Sequence, residues 1–348
     1  MSDAASTALN LRRAGDLAGA LAAFETAAND LRGKDPQTLI RVLCSWAETL
    51  SLVGHYAAAI ERANEAVELL RANAMLGPGA MPSADAARVL LVLGTAESHS
   101  GNLATEHLAA AVEMARRAAE ALPLDENRYL LSVALNHRSG QARATGDLEG
   151  AVKASSEAVT VRRELAAHDP SQLGSLASAL NNLSAAQNEL GDIPVAAASV
   201  TEACDILRGL LDDGNMGVLP TLAAAESNAA AIVGDLPDLD RAIALGVRAV
   251  EHYEQLAASL PAPAFLGERA RSRLVLATCL AGDERYDAAA GLCHAATALL
   301  VQNAERLAIP DRMFIHEALR HYLEFAARAG VAVDDELVTA ANQTLGGP

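Results

Sequence analysis

A glycine followed by a short polar residue recurs along this chain at Gly15, Gly54, Gly101, Gly146, Gly191, Gly234 and Gly282, at spacings of 39, 47, 45, 45, 43 and 48 residues. No other feature constrains the fold as much, because such a period means one supersecondary unit copied along the sequence. The residues that follow are Asp16, His55, Asn102, Asp147, Asp192, Asp235 and Asp283. Glycine takes the left-handed backbone that ends a helix, and Asp or Asn caps the next one. A large apolar anchor then enters the second helix: Leu17, Tyr56, Leu103, Leu148, Ile193, Leu239 and Tyr286. Three residues on stands Ala20, Ala59, Ala151, Ala196, Ala242 or Ala289, and ten on stands Ala27, Ala66, Ala158, Ala203, Ala249 or Ala296. These offsets share one helix face, where a small side chain lets two helices close. The third copy breaks phase, with Glu106 and Glu113 in the two slots and Ala111 restoring the pattern two residues early. Residues 134–165 and 179–210 share 11 identities in 32 without a gap, as duplication of a helical hairpin would leave them.

Composition points the same way. The chain is 51% hydrophobic yet only 3% aromatic, and its abundant Ala, Leu, Glu and Arg favour helices over strands. Prolines at Pro36, Pro78, Pro82, Pro123, Pro170, Pro220, Pro261 and Pro310 are expected to close each second helix, since proline lacks the donor and clashes with the preceding turn. Residues 72–85 and 212–220 read as loops, and 313–329 and 335–345 as two helices shielding the end of the stack.

The pattern resembles the tetratricopeptide repeat. Gly15, Ala20, Phe24 and Ala27 match its turn and second helix, while Trp46-Ala47 and Leu93-Gly94 match the large-small pair of its first helix. The Leu-Asn-Asn-Leu run at 180–183 is similar to the extended, kinesin-light-chain-like subclass found in bacteria. The resemblance implies an all-α, right-handed α-solenoid of about seven tetratricopeptide-like hairpins over residues 1–303, followed by capping helices over 304–348. A HEAT or armadillo array shares the period, but the Gly-Asp turn and paired alanines favour the tetratricopeptide reading.

Forty-four acidic against 27 basic residues give a net charge of −17. That field repels nucleic acid and anionic membrane surfaces, so neither is expected as a partner. No stretch of about 20 apolar residues is expected to span a bilayer. Met1–Ala5 carry no basic segment leading into an apolar run, so a cytoplasmic location is expected. Cys44, Cys204, Cys279 and Cys293 form no CxxC pair, and neither a disulfide framework nor a metal site is expected. His316 and His321 are five apart, about 140° around a helix, and do not form the zinc-protease pair. No phosphate loop or nucleophile elbow occurs, so no cofactor and no enzymatic activity are expected. Cys293 shares the slot of Phe24, Ala63 and Val200 and reads as core.

In such a stack the first helices line the concave wall. Counted back from each turn glycine, the wall positions include Glu48, Arg88, Asn136, Arg143, Ser178, Asn181, Asn182, Asn188, Asn228, Arg269 and Arg273. Asparagine is a poor interior helix former, so its recurrence calls for a reason. A row of amides pairs with the backbone of an extended peptide while Arg143, Arg269 or Arg273 takes a carboxylate. The alternative is that the amides bond to one another and fix the superhelix. The run Arg269–Arg273 is either an anion site or a solvated helix face. Two readings follow: a non-catalytic scaffold that holds a peptide or protein segment in its groove, and a peptide-sensing component that changes shape to control a separate effector. A homodimer stays open in both.

Overall fold

The computed structural model describes residues 3–77, 79–102, 106–259, 264–307 and 309–346. Pro78, Leu103 and Pro261 lie outside the described residues. Among these residues there are sixteen α-helices and no strand. They form two compact units, residues 1–172 and 173–348. The first contains α1 (Asp3–Arg13), α2 (Leu17–Leu31), α3 (Pro36–Leu52), α4 (Tyr56–Ala72), α5 (Ala84–His99), α6 (His107–Ala121), α7 (Asp125–Ala144) and α8 (Leu148–His168). The second contains α9 (Leu173–Leu190), α10 (Ile193–Asp212), α11 (Leu219–Gly234), α12 (Leu239–Ala258), α13 (Leu266–Gly282), α14 (Tyr286–Gln302), α15 (Ile309–Ala329) and α16 (Asp335–Thr344).

Consecutive helices pack as antiparallel pairs, and within each unit each pair stacks on the next. All twelve alanines of the two slots are completely buried. Their side chains fill the seam where a larger group would hold the helices apart. In the third hairpin Leu108, Ala111 and Ala118 take the anchor and slot positions, five residues beyond 103, 106 and 113, and all three are buried. Glu106 and Glu113 are exposed. The helix therefore starts late and keeps its own internal phase.

Five of the seven turn glycines have positive φ, for example +80° at Gly146 and +90° at Gly191. Gly234 and Gly282 stay helical. In the seventh hairpin the left-handed residue is Glu284, at φ +57°, so the turn is displaced by two residues. The expected caps form at Asp16, which accepts from the Gly19 amide at 2.8 Å, and at Asp147, which accepts from the Gly150 amide at 3.0 Å. His55 and Asp192 make no such bond, and Asp235 and Asp283 end the preceding helix instead of capping the next. Pro123 and Pro170 follow the C-caps of α6 and α8, as expected, but other prolines work differently. Pro36 and Pro220 sit in the first turn of α3 and α11, and Pro310 in that of α15. There the missing donor costs nothing, so these prolines open the next helix instead of closing the last.

At Gly94 α5 lies directly against α6. A Cβ there would lie 2.8 Å from Leu108 Cγ and 2.9 Å from the Leu108 backbone nitrogen. Because backbone cannot step aside cheaply, Gly94→Ala is expected to destabilise residues 1–172 by about 1–3 kcal/mol. An unchanged urea midpoint by circular dichroism would show that the two helices separate freely.

In the second unit α15 and α16 share one core with α13 and α14, through Ile315, Leu319, Phe325 and Ala341. The helices α15 and α16 are thus packed as part of that unit.

Met216–Gly234 is long and apolar enough to cross a membrane by length and composition, which corrects the expectation of no such stretch. Most of it is buried inside the second unit, and it carries Glu226 with no exposed surface. The Glu226 carboxylate meets Arg208 of α10 at 3.0 Å and Arg248 and His252 of α12 at 2.9 and 3.0 Å. An apolar core helix with one ion cluster accounts for the composition.

Candidate functional site

Within each unit consecutive first helices touch: α1 with α3, α3 with α5 and α5 with α7, then α9 with α11, α11 with α13 and α13 with α15. Among the described residues no two second helices before α16 come as close. The first helices are therefore the inner layer of each stack, and side chains shared between them form its wall.

In the first unit that wall is closed by ion pairs. Glu48 of α3 receives Arg12 of α1 at 2.8 Å, and Arg41 of α3 reaches Asp85 of α5 at 2.8 Å. Asn136 of α7 is half-buried, with Oδ1 enclosed and without a hydrogen-bond partner. Arg143 is half-buried on the same helix, and Arg88 of α5 is exposed.

The second unit brings the amides together. The Asn228 side-chain nitrogen on α11 donates to Asn181 Oδ1 on α9 at 2.9 Å, and Arg271 Nη2 on α13 donates to Asn228 Oδ1 at 2.9 Å. A guanidinium has no acceptor, so Arg271 dictates which edge of Asn228 faces it. Asn228 in turn dictates the edge of Asn181. Each amide oxygen accepts one bond from its neighbour in the ladder, and the Asn181 N–H groups and one Asn228 N–H make none within it. Asn182, one residue on, is exposed, and Asn188 is half-buried with Oδ1 enclosed and unpartnered.

Arg269 and Arg273 lie elsewhere. Both reach Glu254 of α12, at 2.7 and 2.6 Å, and are largely buried. Burial alone would raise the Glu254 carboxyl, but the two guanidiniums reverse it and hold it below its ordinary value. Successive helical residues turn by about 100°, so 269 and 273 share a face and 271 points away from it. Counting from Gly282 put 269 and 273 on the wall. Counting from Glu284, where the chain turns, puts 271 there.

Beside the ladder opens a cavity of about 340 Å³. Its walls are Ser178, Asn181 and Asn182 of α9, Pro220, Thr221 and Ala224 of α11, Tyr253 of α12, and Phe265 and Glu268 at the start of α13. The Tyr253 and Phe265 rings meet at 6.0 Å between centroids, inclined by 45°. Burial, helped by the Glu268 charge, pushes the Tyr253 phenol up to about 12. Phe265 has φ +53°, a left-handed conformation that a bulky side chain adopts only when its surroundings impose it. Sequence alone named Arg271 only within the run Arg269–Arg273 and not on the wall, and it did not mark Tyr253 or Phe265. The signal was the scarcity of aromatics: two of only ten converge here.

Nucleophilic chemistry has no foothold among the thiols. All four cysteines are free and buried, and burial pushes Cys204 and Cys293 up to about 12 and Cys279 to about 11. His294 bonds to Asp334 at 3.0 Å. Among the described residues no three His, Cys, Asp or Glu side chains are grouped to hold a metal ion.

No family model matches the sequence, and no curated protein matches it. Solved structures do. BtubC (BKLC) from P. vanneervenii superposes with a TM-score of 0.52 at 19% identity, over 69% of this chain and 88% of that one. A signal transduction ATPase with numerous domains from Pyrococcus horikoshii, which has a tetratricopeptide repeat sensor, superposes with a TM-score of 0.58 at 11% identity. That match takes in 87% of this chain and 43% of the other. Paired helices, buried alanine slots and these superpositions agree: by fold, the chain is an α-solenoid of the tetratricopeptide-repeat type.

Proposed function

We propose that this protein is a non-catalytic interaction scaffold that holds an extended peptide or protein segment along α9, α11 and α13. One observation carries the reading. The Asn181–Asn228–Arg271 ladder has a fixed polarity: each amide oxygen already accepts from its neighbour, while the Asn181 N–H groups and one Asn228 N–H are not used within it, and donors are what the carbonyls of a peptide backbone require. The cavity beside it supplies the second requirement of recognition, a mostly apolar recess with a few placed polar groups. Tyr253, Phe265, Pro220 and Ala224 suit an apolar side chain, and Asn182 and Ser178 sit at its edge. Asn188 of α9 extends the proposed surface within the same unit, whereas Asn136, Arg143 and Glu48 belong to the inner layer of residues 1–172.

A display library of random peptides tests this. Selected peptides should bind about tenfold or more weakly to Asn181→Ala/Asn228→Ala, because a charge-assisted or backbone hydrogen bond contributes on the order of 1–3 kcal/mol. Arg271→Ala should weaken them as well, by freeing the Asn228 oxygen. The melting temperature should move little, since the ladder is half-exposed. Failure to enrich any peptide, or equal binding by the variants, would remove the reading.

A second reading is favoured by the likeness to the repeat sensor of the signal transduction ATPase: the same surface would report a bound peptide to a separate effector. X-ray scattering with and without a selected peptide distinguishes them, since a sensor changes dimensions and a scaffold does not.

A further inference from the structure

A second cavity, of about 250 Å³, lies wholly within residues 1–172. It is lined by Arg88 of α5, Asp125, Glu126 and Tyr129 of α7, Leu165 of α8, and Asp169 and Gln172 beyond that helix. Asp169 is occupied by its own turn, accepting from the Ser171 amide and hydroxyl at 3.0 and 2.7 Å and from Gln172 Nε2 at 3.4 Å. The other charges are not. Arg88, Asp125 and Glu126 are exposed, and no ion pair joins them to each other or to another described residue. Opposite charges on one cavity would ordinarily neutralise each other; here they stand on different helices and leave the space between them.

The lining carries further open valences. Gln172 Oε1 is buried without a partner, and its orientation follows from Nε2 donating to Asp169. Tyr129 is itself held by Arg162 of α8, which is 3% exposed, with Nε and Nη1 unpartnered. Its guanidinium lies 3.9 Å from the centre of the Tyr129 ring, a cation–π contact that fixes the ring as a wall.

We infer that this cavity binds a small zwitterion of amino-acid to dipeptide size, with its carboxylate on Arg88, its ammonium on Asp125 and Glu126, and its side chain against Tyr129 and Leu165. Both charges are needed because each wall offers only one sign, and a charge-assisted hydrogen bond is about twice as strong as a neutral one. The site is separate from the groove proposed above and does not depend on it.

Isothermal titration with L-leucine and with glycyl-leucine tests it, against leucine amide (cation only), N-acetyl-leucine (anion only) and N-acetyl-leucine amide (neither). Saturable binding of one zwitterion, with each blocked analogue about tenfold or more weaker, is the expected result. Arg88→Ala should abolish the preference over leucine amide, and Asp125→Asn/Glu126→Gln the preference over N-acetyl-leucine. These side chains are exposed, so the variants should keep the parent circular dichroism spectrum. Asn181→Ala/Asn228→Ala should bind as the parent does, which separates this site from the groove. No saturable heat from either zwitterion, or equal affinity for all the analogues, overturns the inference.

Discussion

Phe24→Ala should lower the unfolding free energy of residues 1–172 by about 3–5 kcal/mol, the usual cost of removing a buried ring and leaving a cavity. Phe24 is 1% exposed and belongs to the core that joins α1 through α8. The equivalent slot holds Ala63, Val200 and Cys293 in other hairpins, each fully buried. The slot is therefore not large by design of the repeat; the neighbours of each copy have adapted to its own side chain. Around Phe24 they enclose a ring, which alanine would leave as a cavity. Trp46, the single tryptophan, lies in the same unit with Arg62 5.2 Å from its ring centre, and its fluorescence reports this unit's unfolding in urea. Phe24→Leu should fall between parent and alanine variant. A loss under about 1 kcal/mol would mean that the helices close over the gap.

The second large effect belongs to Glu226. Burial alone would raise its carboxyl, but hydrogen bonds from His252, Arg208 and Arg248 outweigh burial and hold it below its ordinary 4.5. A carboxyl depressed in the folded state stabilises that state fully above its unfolded pKa and ceases to do so as pH falls through the folded one. Its share of stability is thus present at neutral pH and is lost on acidification below 4.5. Glu226→Ala should cost about 3 kcal/mol at neutral pH, the lower end for breaking a buried ion pair. The lower end applies because Arg208 and Arg248 remain 35% and 42% exposed and rehydrate. Glu226→Gln keeps the shape and should flatten the acid limb of stability against pH, followed by urea unfolding at a series of pH values. An acid limb as steep in the glutamine variant as in the parent would assign that dependence to other carboxylates.

Much of the hairpin array was legible in the residues themselves. The glycine period, the anchors and the alanine slots describe how one helix lies on its immediate partner, and that relation repeats with local spacing. The exceptions were local too. The late start of α6 moved its slots by five residues, and Pro36, Pro220 and Pro310 belonged to the helix that follows them.

The candidate site depended on more than periodicity. The repeat frame alone points to Asn181, Asn182 and Asn228, but with the last turn at Gly282 it also points to Arg269 and Arg273 in place of Arg271. A displacement of two residues rotates a helix by about 200°, enough to exchange the arginine that faces Asn228 for the pair that faces Glu254. Tyr253 and Phe265 meet across a helix junction, and Arg88 faces Asp125 and Glu126 from another helix, at separations no repeat pattern encodes. Sequence determined which face each helix turns to its neighbour, since that is set by residues within a few turns of one another. Tertiary structure alone decided which side chains meet between successive hairpins, because that depends on the rotation each turn imposes.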